Sequence, residues 1–234
     1  METTNWRKKN RTISSAGILM NKDGFDQWIA DLSFRIDKGL PGQGAHEKMA
    51  PLHRKPFHES VLINSGYRTA AVLALIVPDP INSSPRIILI ERSEGPVSHS
   101  GQISFPGGKR EGDEDLLATA LREANEELGI VPDQVCLLGK LTSLYIPPSN
   151  FLVHPFLGYM NAIPEFILSE AEVKKVLLLP VFSFLDQGNI SIEVFKSSNG
   201  SSVEAPTYRI DDVAIWGATA MMIAEISALI HSEI

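Results

Sequence analysis

The chain has 234 residues, 44% of them hydrophobic, enough for one sizeable core or for one domain with an extension. Its formal net charge is −7, from 21 Lys+Arg against 28 Asp+Glu. This argues against a nucleic-acid polymer as partner, which needs a basic surface to displace counterions. No apolar run approaches the ~20 residues of a membrane span, and the N-terminal apolar stretch 16–20 is shorter than the ~7–15 residues of a signal core. Cys136 is the only cysteine, so no intrachain disulfide can form. A soluble, cytoplasmic protein is the expectation.

Residues 1–66 read as an N-terminal extension and 67–232 as the main domain. In the extension, Phe25, Trp28, Ile29, Leu32 and Ile36 recur at helical spacing, which predicts a helix over 23–38 stopped by Gly39 and Pro41. Its apolar stripe suits packing on the domain or against a second copy, so a homodimer is left open; it holds no ligand cluster. Residues 42–56 read as a loop. From Arg68 on, 69–78 and 86–92 are short apolar runs between turn residues, read as strands. Residues 93–108 read as a loop with a short strand at its end, and a helix follows. Residues 134–146 and 151–160 read as two strands separated by "PPSN", with Cys136 as buried filler and His154, Phe151, Phe156 and Tyr159 as core. Tyr145 and Asn150 border that turn, which is either a plain corner or a cover over a ligand. Residues 169–185 read as beginning in a helix with an acidic first turn. Residues 191–196 and 206–210 form a hairpin, and 214–232 an apolar helix.

The stretch "GGKREGDEDLLATALREANEELGI", residues 107–130, carries seven Asp or Glu. Asp113 can cap the helix and Gly129 can end it in the left-handed region. With Leu117 at zero and about 100° per residue, Ala120, Leu121, Ala124 and Leu128 lie within about 60° and form the core face. Glu123, Glu126 and Glu127 fall between about 180° and 280° on the same wheel. Most acidic helix faces are simply solvated. Here, however, like charges at i, i+3 and i+4 repel, and they lie toward the helix C-terminus, where the macrodipole disfavours anions. A divalent cation relieves such a cluster, and oxygen-only ligands suit Mg²⁺ or Mn²⁺ better than Zn²⁺. The Gly107–Gly108 turn lets backbone approach a ligand closely.

This stretch resembles the Nudix box. Gly108, Glu114, Arg122, Glu123, Ala124, Glu126, Glu127, Gly129 and Ile130 fill every defined position of that motif. The resemblance implies an α/β (α+β) fold, a mixed β-sheet sandwiched between helices, here with an N-terminal helical extension. It also implies hydrolysis of a diphosphate linked to another moiety, with Mg²⁺ or Mn²⁺ as cofactor. By the same resemblance Glu126 and Glu127 would ligate metal. Glu123 would be a further ligand or the base that activates water, Arg122 would orient Glu123, and the Gly107 carbonyl would be an additional ligand. Glu114 would play a lesser part, and the general base stays unassigned.

Upstream, "LIERSEGPVSHSGQISFPGG" is similar to the signature that precedes the box in coenzyme A diphosphatases. Arg92, Ser93, Gly101, Phe105, Pro106, Gly107 and Gly108 match in register, while Ile90 replaces a Thr and Val97 replaces a second Arg. This resemblance implies coenzyme A as the small-molecule partner, with Arg92 facing phosphate and Lys109, Arg68 or His99 as further substrate contacts. A different diphosphate, such as ADP-ribose, a dinucleotide or a nucleoside triphosphate, is the main alternative. A silent nucleotide-binding module is another, and the intact carboxylates argue against it.

Overall fold

The structure is a computed structural model and describes residues 20–55, 66–93, 101–196 and 202–231. Helix α1 spans Lys22–Lys38; Asn21 accepts the Gly24 amide at its start, and Gly39, at φ 131°, ends it. Its stripe of Phe25, Trp28, Ile29 and Leu32 is buried as expected. It packs on the body of the protein, where Arg35 donates to the Leu229 and Ile230 carbonyls at the end of the terminal helix. The expected loop after it contains a short helix, α2, Gln43–Glu47.

One mixed sheet organises the rest. Strand β1, Arg68–Pro78, runs parallel to β7, Phe151–Tyr159, with Arg68 opposite Phe151 and Ile76 opposite Tyr159. β2, Pro85–Arg92, lies antiparallel to β1. β3, Ile103–Ser104, pairs with β2, and β4, Gly107–Lys109, pairs with β1. On the other side β5, Cys136–Lys140, and β6, Leu144–Ile146, both pair with β7.

The segment expected to begin as a helix is instead strand β8, Val173–Pro180, antiparallel to β2. Its sequence is apolar at successive positions. Leu177 and Leu179 pack into the core on one face of the sheet, while Val173, Val176 and Leu178 pack on the other. A strand buried on both faces gives a continuous apolar run, which periodicity alone does not separate from a buried helix. The predicted hairpin is present as β9, Ile190–Lys196, and β10, Ser202–Ile210, joined by β11, Val213–Ile215, in a small second sheet. Cys136 lies on a strand as expected but is exposed, not buried, because β5 is the last strand of its sheet.

Helix α3, Leu116–Leu128, covers one face of the large sheet, with Ala120, Ala124 and Leu128 against Leu73, Leu75, Ile88 and Ile90. The opposite face is covered by α1 and the terminal helix α4, Gly217–His231. A mixed sheet between helices is therefore the observed architecture. Among the described residues no helix is long and apolar enough to cross a membrane.

Candidate active site

Helix α3 begins one turn-step later than expected. Asp115, not Asp113, is its cap, and its side chain accepts the Leu117 amide at 2.8 Å. Asp113 is exposed. Gly129 closes the helix at φ 71°, as its position in the sequence suggests. A side chain there would also press on Ile167, whose Cβ lies 2.8 Å from the Cβ position.

The two preceding glycines are needed for different reasons. Gly107 sits at φ 149°, and a Cβ would collide with the β1 backbone at Ala71 and Val72. At Gly108 a Cβ would lie 2.5 Å from the Glu123 carboxylate. Phe105, just upstream, is buried in the core and anchors this strap.

The three box carboxylates share one side of α3 but not one environment. Glu127 is fully buried; the Gly107 amide donates to its Oε2 at 2.9 Å, and Arg92 Nη1 donates to its Oε1 at 3.2 Å. Glu123 is partly buried, and the Glu126 side chain is 55% exposed. The difference follows from the helical wheel: Glu127 lies only about 20° from buried Ala120, and Glu126 lies on the far side. Arg122 binds the outer pair, with Nη1 at 3.0 Å from Glu123 Oε1 and 2.9 Å from Glu126 Oε2. Its other nitrogens hold Glu114, at 3.0 Å to Oε1, and the Lys109 carbonyl, at 3.1 Å. Arg122 thus ties the strap to the helix.

The electrostatics follow the same division. The Arg122 guanidinium and the Glu111 amide hold the Glu114 carboxyl down at about 2. Burial pushes the Glu127 carboxyl up to about 7, against the opposing pull of the Gly107 amide and Arg92. Glu123 is also raised by burial, against Arg122, with Glu126 and Glu172 adding repulsion.

Glu172 was invisible as a site residue in the sequence, where it fell in the supposed helix. Its charge acts on both Glu123 and Glu127. Its carbonyl accepts the Ser93 amide at 2.9 Å, next to Arg92, which is paired with Val173 across the ladder. Only the β2–β8 pairing brings it there.

Among the described residues no three His, Cys, Asp or Glu side chains converge closely enough to hold a metal ion. Arg92 and Arg122 occupy the carboxylate oxygens instead. The donor chemistry nevertheless fits a hard divalent cation. It is oxygen-only, and its most buried carboxylate stays destabilised even with Arg92 beside it.

Of the expected substrate contacts, Arg92 is in the site. Lys109 is exposed on β4, and its carbonyl, not its amine, meets Arg122. Arg68 is engaged elsewhere: its guanidinium lies 4.1 Å above the Phe151 ring and donates to the Ser149 carbonyl at 2.8 Å. His99 and Val97 lie outside the described residues. Tyr145 donates its hydroxyl to Asn150 Oδ1 at 2.8 Å, so the "PPSN" turn is braced as a corner. His154 shares a hydrogen bond with Ser143 at 2.8 Å, and burial, helped by Lys140, pushes its imidazole down to about 4.

The NUDIX domain family model matches residues 68–184, which takes in β1 through β8 and the whole carboxylate helix. The chain is also 33% identical over 179 residues to the Uncharacterized Nudix hydrolase NudL of Yersinia pestis, covering 74% of this chain and 87% of that protein. The chain belongs to the Nudix family. Among solved structures, this Nudix hydrolase is similar to a MutT/nudix family protein from Enterococcus faecalis at 17% identity and a TM-score of 0.44. That match covers 76% of this chain and 62% of the other. It is likewise similar to the NUDIX domain of Shewanella oneidensis NrtR, solved with ADP ribose, at 19% identity and a TM-score of 0.42. That match covers 56% of this chain and 87% of the other.

Proposed function

We propose that this Nudix hydrolase cleaves a diphosphate linkage with Mg²⁺ or Mn²⁺ held by Glu123, Glu126, Glu127 and the Gly107 carbonyl. Its substrate is coenzyme A or an acyl-coenzyme A, giving 3′,5′-ADP and (acyl-)4′-phosphopantetheine. The observation that carries the chemistry is Glu127, buried and raised to about 7. A carboxylate held at that cost inside a strap of Gly107, Arg92 and Glu123 is suited to gaining a cation. When bound, such a cation screens the anionic diphosphate and acidifies a water molecule.

The protein's own residues do the positioning. Arg122 fixes the Glu123 carboxylate from one side, and Gly108, by lacking a side chain, leaves it room on the other. Arg92 balances Glu127 and stands at the end of β2, where its second guanidinium edge suits a substrate phosphate. Glu126 is exposed, so an incoming ligand reaches it first.

The coenzyme A reading is supported by the register of Arg92, Ser93, Gly101, Phe105, Pro106, Gly107 and Gly108. Val97 in place of an Arg points to weaker selection for the 3′-phosphate; one lost charged hydrogen bond corresponds to roughly tenfold to a hundredfold. The test is a product analysis with coenzyme A, 3′-dephospho-coenzyme A, ADP-ribose and a dinucleotide. EDTA should abolish turnover, and Mg²⁺ or Mn²⁺ should restore it. The Val97→Arg variant should raise the preference for coenzyme A over its dephospho form. Cleavage of ADP-ribose or a dinucleotide alone would remove coenzyme A and leave the diphosphatase reading. Cleavage of none would remove both.

A further inference from the structure

Helix α1 spends its apolar stripe on the body of the protein, so a second copy of the chain needs another surface. Among the described residues, three of the longer strands pair on one side only: β5, β8 and β9. An open edge is a template for another chain unless something blunts it. β8 carries exposed Lys174 and Lys175 and ends at Pro180. β5 is interrupted by a register shift between Leu137 and Gly139 and ends at Lys140. β9 has no such device along its length. It runs seven residues, Ile190–Lys196, in unbroken register with β10, and its one lysine is its last residue. Ile192 is 56% exposed on it and Val194 64%.

Neighbouring residues decide which main-chain groups lie on that edge. In an antiparallel ladder, hydrogen-bonded and open pairs alternate. Pro206, opposite Ile192, has no amide to give, and the Glu204 carbonyl, opposite Val194, accepts the Leu52 amide. The pairs at Ile192 and Val194 are therefore the open ones, and the amides and carbonyls of both residues point away from β10. The Ile190 carbonyl points the same way, while its amide donates to the Gln187 carbonyl. The side chains of Ile190, Ile192 and Val194 share one face of the strand.

We propose that two copies of this chain join antiparallel through β9, with Ile192 facing Ile192 across the two-fold axis. A two-fold contact sets one sequence against itself, so each register can be checked for self-complementarity. Centred on Glu193, the pairing opposes two carboxylates. Centred on Val194, it sets Ile192 against Lys196 and Glu193 against Phe195. Centred on Ser191, it leaves Val194 past the end of the second strand. Centred on Ile192, it sets Val194 against Ile190 and Glu193 against Ser191. The last contact is one the chain already makes within β9, where the Ser191 hydroxyl donates to Glu193 at 3.1 Å. Each Ile192 then exchanges both main-chain bonds with its mate, and each Val194 amide reaches the Ile190 carbonyl of the second copy. A contact of one strand pair is small, so the association is weak, in the micromolar range. It does not depend on which diphosphate the carboxylates cleave.

The experiment is sedimentation equilibrium of the full chain carrying Cys136→Ser, from low to high micromolar concentration, with a crosslinking arm. Cys136 is exposed and would otherwise link copies by itself. The mass should rise from that of one chain to that of two. Ile192→Lys, at an exposed position, opposes two ammonium groups across the axis; it should weaken association by roughly tenfold or more and leave the melting temperature of the dilute chain unchanged. Under mild oxidation, Ile192→Cys should form an intermolecular disulfide roughly tenfold faster than Val194→Cys. The register sets the Cα atoms of the two copies ~5.5 Å apart at the first position and ~14 Å apart at the second. A chain that stays monomeric throughout would overturn the proposal. So would association untouched by Ile192→Lys, or Val194→Cys linking as fast as Ile192→Cys.

Discussion

Replacing Glu127 by Gln separates folding from function with opposite signs. The side chain is 1% exposed, and its carboxyl is raised from an ordinary 4.5 to about 7. A raised carboxyl means that the folded chain holds the proton more tightly than the unfolded chain. Without metal, stability is therefore highest below the ordinary value and falls as pH rises from about 4.5 to about 7. At pH 8 the full difference, about 2.5 units at about 1.4 kcal/mol each, is on the order of 3 kcal/mol against the ionised wild type. Gln keeps the size and can still accept the Gly107 amide. The metal-free variant should then melt some 6–12 °C above wild type, at roughly 2–4 °C per kcal/mol for a chain of this size. A saturating divalent cation should reverse the order. Wild type gains about 4.1 kcal/mol at a thousandfold excess over Kd, more than the roughly 3 kcal/mol by which it trails, and the variant gains little. Turnover of the variant should fall by at least 10²-fold, the lower end of what a lost catalytic group costs. The assay is a pair of melting curves at pH 8, with EDTA and with Mn²⁺, beside a product assay. Activity within threefold of wild type, or a variant less stable than wild type in EDTA, would refute the reasoning.

Three further outcomes are expected. Gly108→Ala places a methyl group 2.5 Å from the Glu123 carboxylate, so kcat should drop at least tenfold while the melting temperature changes little; unchanged kinetics would show that Glu123 can move aside. Trp28→Ala removes a side chain that is 7% exposed and stacked edge-on against Phe182, and should cost ~3–5 kcal/mol in denaturant unfolding; a loss below ~1 kcal/mol would detach α1 from the core. His154, held near 4 by burial, refuses a proton that the unfolded chain accepts near 6.5, so stability should fall as pH drops between those values; His154→Gln should flatten that fall, and an equally steep curve would place the acid sensitivity elsewhere.

The carboxylate helix was legible because its signal is local. Thirteen residues with a cap, a left-handed glycine and a wheel place Glu123, Glu126 and Glu127 without any distant partner. What the wheel could not grade was their burial, since that depends on Ala120 being pressed flat on β1. Strand β8 and Glu172 were illegible for the converse reason. Nothing within 169–185 distinguishes a doubly buried strand from a buried helix; the choice is made by β2, some eighty residues earlier, whose free side needs a partner. Arg92 was found from its motif, but its pairing with Glu127 is a tertiary fact. Cys136 was misjudged because an apolar run such as "VCLL" does not announce that its strand ends a sheet.

Two glutamates in this chain are equally buried, and their surroundings tell them apart. Glu225 accepts from the Gly42 amide, the Thr142 amide and hydroxyl, and His46; burial raises its carboxyl, but these bonds outweigh that and hold it below the ordinary value. Among the described residues Glu127 accepts only from Gly107 and Arg92, and burial wins. A carboxylate given four donors is a structural node, here tying α2 and the β5–β6 turn to α4. A carboxylate given two, with Glu123 and Glu172 repelling it, is left short of positive charge. The same Glu→Gln change should therefore act in opposite directions. Glu225→Gln puts an amide N–H among four donors, and at pH 7 it should destabilise by at least ~1.5 kcal/mol. Because the Glu225 carboxyl is lowered, its contribution is present above the ordinary carboxylate value and lost as pH falls through the folded one, so the deficit should shrink in acid. Glu127→Gln without metal should stabilise at pH 8 and lose its advantage toward pH 4.5. Denaturant unfolding of both variants across that range reads the two signs directly, and like signs at pH 8 would break the distinction.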